Sequence, residues 1–135
     1  MNKVDIFKKE ISYVKEERYK EDLIKLINEL PDYFFEIPAS STGKYHPKYA
    51  LGDKGLIRHS KAVTKIGYEL LKNNTIGSAF NESQKDLMLI AMILHDGLKS
   101  GFEQSKYTLV EHPLLVGELI KNTKDLSLTE GEIDF

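Results

Sequence analysis

The residues of this chain best suited to chemistry are His95 and Asp96, which directly follow the eight apolar residues Leu87 to Leu94. A helix carrying that run through an interior brings an imidazole and a carboxylate side by side into its last turn. A buried, unpaired carboxylate costs several kcal/mol, so Asp96 must find a cation. His59 falls at steps of three and four with Leu56, Val63, Ile66 and Leu70, a spacing that predicts one core-facing stripe. Two imidazoles and one carboxylate converging in an interior are a donor set for a divalent metal. Each residue also has a plain reading. A core histidine commonly bonds a backbone carbonyl, and an aspartate past a helix end commonly makes an Asx turn. The combination, with each residue on the inner end or face of a helix, favours the metal.

The elements that must position these groups read as helices joined by polar loops. Ile6, Phe7, Ile11 and Val14, then Leu23, Ile24, Ile27 and Leu30, repeat at helical spacing up to Pro31. They predict an N-terminal helical pair, or one helix broken near Arg18, with Tyr33-Phe34-Phe35 docking on the core. A helix over about 56–72 ends at Asn73-Asn-Thr-Ile-Gly77. Asn81 with Gln84 makes a capping box for the next helix. That helix is apolar all round where it carries Leu87 to Leu94, so it is expected as the central buried element, ended by Gly97 and Ser100-Gly101. Another helix is expected from about Val110 to Asn122, with Leu115, Val116, Leu119 and Ile120 inward. Thr129 and Glu132 form a second capping box followed by Ile133 and Phe135, which reads as the start of a sixth helix cut short. No alternating run is bounded by turn dipeptides, so the expected fold class is all-α.

The expected organisation is a single helical domain over 1–135. It divides into N-terminal helices (1–35), a loop (36–55), a core (56–122) and the opening of a further helix (123–135). The 36–55 stretch is rich in Pro, Gly and Ser and holds no period. Structureless segments of that length tend to line sites, the alternative being a plain connector. As a site-lining loop it would offer Lys44 and His46 to a phosphate. Ser41-Thr-Gly-Lys44 is not a phosphate-binding P-loop, because position 38 is Pro and Tyr45 follows the lysine.

The 135 residues are 41% hydrophobic and 30% charged, as in ordinary globular proteins. That excludes collagen, low-complexity polymers and acidic disordered tails. The longest apolar run is eight residues, against about 20 for a membrane span, and the first residues lack the apolar core of a secretory signal. Nineteen Lys and Arg against 21 Asp and Glu give a net charge of −2, which argues against a nucleic-acid coat. No cysteine is present, so disulfides, iron–sulfur clusters and thiol catalysis are excluded. Any tightly held metal must use His, Asp or Glu. A cytoplasmic location is the expectation.

The order H…HD, here His59 then His95-Asp96, resembles the HD-domain metal-dependent phosphohydrolases. Ile93-Leu-His-Asp-Gly-Leu-Lys99 is similar to that family's HD-x-x-K element, and Gly55-Leu-Ile-Arg-His-Ser60 to the segment bearing its first ligand. Glu111-His-Pro-Leu-Leu-Val-Gly117 is similar to the His-Pro-x-x-x-Gly element of members with extra histidine ligands, including the HD-GYP group. The resemblance covers roughly 56–121. It implies an HD-like helical bundle and a divalent ion (Mn, Fe, Ni, Co, Mg or Zn) held by His59, His95 and Asp96. It also implies that Lys99 and Asp96 take part in catalysis, that Lys99 lies near the substrate phosphate, and that His112 binds a second metal or the phosphate. The implied substrate is a small phosphoester such as a nucleotide. Arg58 is a further candidate contact, although it lies about 100° around the helix from His59, toward solvent or a neighbouring acid. The family closes its ligand set with a later Asp, and only Asp125 and Asp134 follow His112. The first is most simply a solvated turn residue, and the second sits where a carboxylate suits a helix dipole. The alternative is therefore a non-catalytic HD-like interaction or regulatory module with an incomplete metal site.

Overall fold

The computed structural model describes residues 2–37, 54–99, 112–123 and 126–134, and among them the chain is all-α, with no strand. Two single turns, α1 (Lys3–Ile6) and α2 (Lys8–Ile11), precede α3 (Glu17–Glu29). The break over 12–16 comes earlier than Arg18, and a long-range contact causes it. Both carboxylate oxygens of buried Asp86 accept backbone N–H groups, from Lys15 and Glu16, at 3.0 Å. That satisfies orphan donors at the start of α3 and fixes where it begins. At the other end Leu30 is extended ahead of Pro31, as the residue before proline prefers. The 3-10 turn Asp32–Phe35 then buries Tyr33, Phe34 and Phe35, as its aromatic content predicts. Phe7, Phe34 and Phe35 pack ring against ring with centroids 5.1–6.0 Å apart.

Helix α4 (Gly55–Lys72) runs antiparallel to α6 (Glu82–Leu94), with α5 (Asn74–Gly77) between them. The expected inward stripe of α4 is corrected. Ile66 and Leu70 are 61% and 48% exposed, and the buried row is instead Leu56, Ser60, Thr64, Gly67 and Leu71. The reason is distance between axes. Small side chains let the two backbones approach, whereas a row of Val, Ile and Leu holds them apart. At Gly67 the approach is so close that a Cβ would overlap Met92. His59 consequently lies at the edge of the contact rather than at its centre.

The capping box of α6 forms as predicted, Gln84 N–H donating to Asn81 Oδ1 at 2.8 Å and Asn81 N–H to Gln84 Oε1 at 3.0 Å. Burial all round α6 is also corrected. Leu89, Ile90, Ile93 and Leu94 are buried, but Ala91 is exposed and Leu87 and Met88 are only partly covered. The helix is thus a side of the core rather than its centre.

Helix α7 (His112–Asn122) buries Val116 and Leu119, with Leu115 and Ile120 partly covered. In α8 (Glu130–Asp134) the Thr129–Glu132 capping box is formed, at 2.9 and 3.2 Å. This segment is tied down firmly. Buried Asp22 accepts from Ser127 N–H and Oγ, and Arg18 grips Glu132 through two bonds of 3.1 and 2.7 Å. The Tyr19 hydroxyl donates to the same carboxylate. No helix among the described residues is long and apolar enough to cross a membrane.

The Arg18 guanidinium holds the Glu132 carboxyl down at about 2, against an ordinary 4.5, with Tyr19 and Thr129 adding to the effect and burial opposing it. A depressed carboxyl contributes stability that is complete above its ordinary value and is lost as the pH falls through the folded one. Protection against amide exchange over 126–134, relative to the intrinsic rate at each pH, should therefore fall between pH 4.5 and about 2. Arg18→Ala should remove most of that acid dependence, and identical pH profiles in both proteins would show that this pair does not hold the segment.

Candidate metal centre

Helix α6 hands over to the site through a continuous turn. His95 is its C-cap in helical conformation (φ −55°, ψ −34°), and residues 95–99 continue as turns. Gly97 N–H donates to the Leu94 carbonyl at 2.8 Å, and Lys99 N–H to the Asp96 carbonyl at 3.1 Å. The turn is wedged against the end of α3. A Cβ on Gly97 would lie 2.5 Å from Leu30 Cδ2 and 3.0 Å from the Leu94 carbonyl oxygen. Glycine is needed here for close approach.

Three of the expected ligands converge. Asp96 Oδ2 lies 3.1 Å from His95 Nε2 and 3.5 Å from His59 Nε2. One ligand atom from each of the three residues lies within 4.8 Å of the others. The rings are 6.0 Å apart and inclined at 58°, so they meet the carboxylate from different directions. Asp96 itself is only 8% exposed.

The tautomer of His95 follows from its surroundings. Its Nδ1 is 2.6 Å from the Met92 carbonyl oxygen, which can only accept. Nδ1 therefore carries the proton, and in the neutral ring Nε2 presents its lone pair to Asp96. This is the outer hydrogen bond that orients a metal-binding histidine.

The other buried acids differ in kind. Glu10 pairs with Lys61 at 2.6 Å, Asp22 accepts from Ser127, and Asp86 accepts two backbone N–H groups. Among the described buried acids, Asp96 is the one faced by two imidazoles. A carboxylate oxygen beside the His95 lone pair is repulsive until a cation enters, whether a proton or a metal. Burial pulls the His95 pKa down, but the hydrogen bond and charge of Asp96, with the Met92 carbonyl, outweigh it and raise the value above 6.5. The charge of Lys99 opposes that rise. Lys99 is 9% exposed, one turn beyond Asp96.

His59, His95 and Asp96 are thus brought together, with Lys99 beside them. Arg58 is exposed on α4. Lys44, His46 and Asp125 lie outside the described residues. His112 begins α7 and Asp134 ends α8, but their side chains also lie outside the described residues. Sequence reasoning passed over two supporting groups, the Met92 carbonyl and Gly97. The first is a backbone atom with no sequence signal. The second reads in the sequence as a helix terminator, although Gly directly after a doublet is also a sign of close approach. The chain matches no family model, no curated protein and no solved structure.

In metal-free protein, proton NMR should find His95 titrating above the ordinary 6.5. A raised histidine value contributes stability below its unfolded value and loses it as the pH rises through the folded one. Asp96→Asn removes the charge and leaves burial dominant, so His95 should then titrate below its wild-type value. An unchanged midpoint would exclude the carboxylate as the partner.

Proposed function

We propose that this chain is a divalent-metal-dependent phosphohydrolase acting on a nucleotide or another small phosphoester. The observation that carries the reading is the convergence of His59, His95 and Asp96 at the meeting of α4 with the end of α6. Two imidazoles and one carboxylate with positions left open suit a first-row divalent metal and a substrate oxygen. The donor set fits such an ion in detail. His95 is oriented by Met92, and Asp96 is buried with an oxygen 3.1 and 3.5 Å from the two imidazoles. The HD-x-x-K likeness supports the same reading.

When bound, a divalent cation here supplies Lewis-acid activation of a phosphoryl group and of the attacking water. The chain's own groups do the rest. Asp96 and the two imidazoles would hold the ion. The Lys99 ammonium, buried beside the turn, stabilises negative charge that builds on the phosphoryl oxygens. The tight turn at Gly97 keeps Lys99 and Asp96 in fixed register. His112, Lys44, His46 and Arg58 are further candidates for phosphate contacts.

Metal analysis after dialysis against Mn²⁺ or Ni²⁺ should find about one ion or more per chain by the ligand count, and Asp96→Ala should bind none while keeping its helical circular dichroism. The loaded protein should hydrolyse a chromogenic phosphodiester or phosphomonoester. Lys99→Ala should keep the metal and lose about 10²-fold or more in kcat/KM, as for loss of one charge-stabilising donor. Equal metal content in wild type and Asp96→Ala refutes the site. Metal retained with no turnover on either ester class refutes the hydrolase and leaves an HD-like interaction or regulatory module.

A further inference from the structure

At the opposite end of the α4–α6 pair lies a cleft of about 320 Å³, within the range of small-molecule sites. His59 and Leu71 are twelve residues apart on α4, so at 1.5 Å rise per residue the cleft lies about 18 Å from the metal centre. Its floor is apolar, formed by Leu71, Leu89 and the stacked pair Tyr13–Tyr68, whose centroids are 4.0 Å apart with planes at 6°. Tyr13 is only 9% exposed, yet neither phenol hydroxyl has a hydrogen-bond partner among the described residues.

The rim carries three lysines against the two acids of the lining, with Glu69 beside Lys72 as a third. Lys15 and Lys85 share the single carboxylate of Glu82, at 2.9 and 3.6 Å. The other acid of the lining, Asp86, has both oxygens committed to the N–H groups of Lys15 and Glu16. Lys72 lies 5.1 Å over the Tyr68 ring and reaches Glu69 at 3.9 Å, both side chains being exposed. Each ammonium has three donor hydrogens, so the rim presents donors in excess of acceptors above an apolar floor.

We propose that this cleft is a second binding site, for a small organic anion with a flat apolar body and one acidic group. The body lies on Leu71, Leu89 and the tyrosine edges, and the acidic group is held by Lys72 and Lys85. The tyrosine hydroxyls supply the remaining polar contacts. The site shares no residue with the metal centre, and its ligand need not be the substrate.

The test is calorimetric titration of metal-stripped protein with 1-naphthyl phosphate. Saturable one-to-one binding is expected. Lys72→Ala/Lys85→Ala should weaken it about tenfold or more, the loss that goes with hydrogen bonds to charged groups, and Tyr68→Leu should weaken it too. Asp96→Asn should leave the affinity unchanged. Inorganic phosphate and 1-naphthol should each bind more weakly than the parent compound. Absence of saturation, equal affinity in the double lysine variant, or loss of affinity in Asp96→Asn each overturns the proposal. Amide shifts confined to residues around Tyr13, Leu71 and Leu89 would support it without any substitution, and shifts confined to residues 59 and 95–99 would overturn it.

Discussion

The close antiparallel approach of α4 to α6 is the constraint on which the rest of the structure depends. It is set by what α4 lacks. Ser60, Thr64 and Gly67 face α6 with almost no side-chain bulk, and Met92 fills the space that a larger residue at 67 would need. An axis separation a few ångströms greater would carry His59 out of reach of Asp96, because an imidazole on a short stem cannot extend to follow. The N-terminal layer is then fastened to this pair by buried carboxylates. Glu10 meets Lys61 of α4, and Asp86 of α6 caps the start of α3. A buried acid that accepts two N–H groups is directional in a way that apolar packing is not, so these bonds fix register as well as contribute stability.

The cluster of His59, His95 and Asp96 differs from the other buried acids of this frame. Among the described residues the fold meets Glu10, Asp22 and Asp86 with lysine, a hydroxyl or backbone N–H. At Asp96 two imidazoles stand among the neighbours, and their charge depends on pH. A proton satisfies one imidazole–carboxylate contact, whereas a divalent ion satisfies both contacts and the carboxylate together. Protons and a bound metal would therefore compete for the same atoms, as at any site whose ligands must be deprotonated. The Met92 carbonyl biases that competition by fixing the His95 proton on Nδ1, leaving Nε2 as the ligand atom.

The parts of this arrangement legible in the sequence were those written in local chemistry. Both capping boxes, Asn81–Gln84 and Thr129–Glu132, form as their residue types require. The doublet His95-Asp96 at the end of an apolar run marked the site, and His59 joined it. The phase of α4 was not legible, because periodicity counts large apolar residues. In this helix Ile66 and Leu70 stay outside while a serine, a threonine and a glycine go in. Hydrophobicity reports what gains from burial, but close packing also needs what fits. The N-terminal break was hidden for a related reason. It is imposed by Asp86, about seventy residues away, and by no residue near it. The reading of α6 as buried on every side failed at Ala91, since a short apolar side chain costs little in water and carries little information about direction.

The two ends of the α4–α6 pair share both helices. Lys72 and Leu71 belong to α4, Lys85 and Leu89 to α6, and all four line the distal cleft. His59 belongs to α4, while His95 and Asp96 directly follow α6. A cation at His59 and Asp96 and an anion at the lysines would influence one another only through a change in how the two helices are apposed. Linkage makes such an effect reciprocal, since each ligand changes the other's affinity by the same factor. Its size is limited by how far the pair can open, and the row Ser60–Thr64–Gly67 against Met92 sets that limit. A tightly closed seam transmits little because it has no second arrangement to offer. A seam that opens slightly at one end transmits more. Met92, a flexible side chain at the point of closest approach, is the residue whose repacking would permit such an opening.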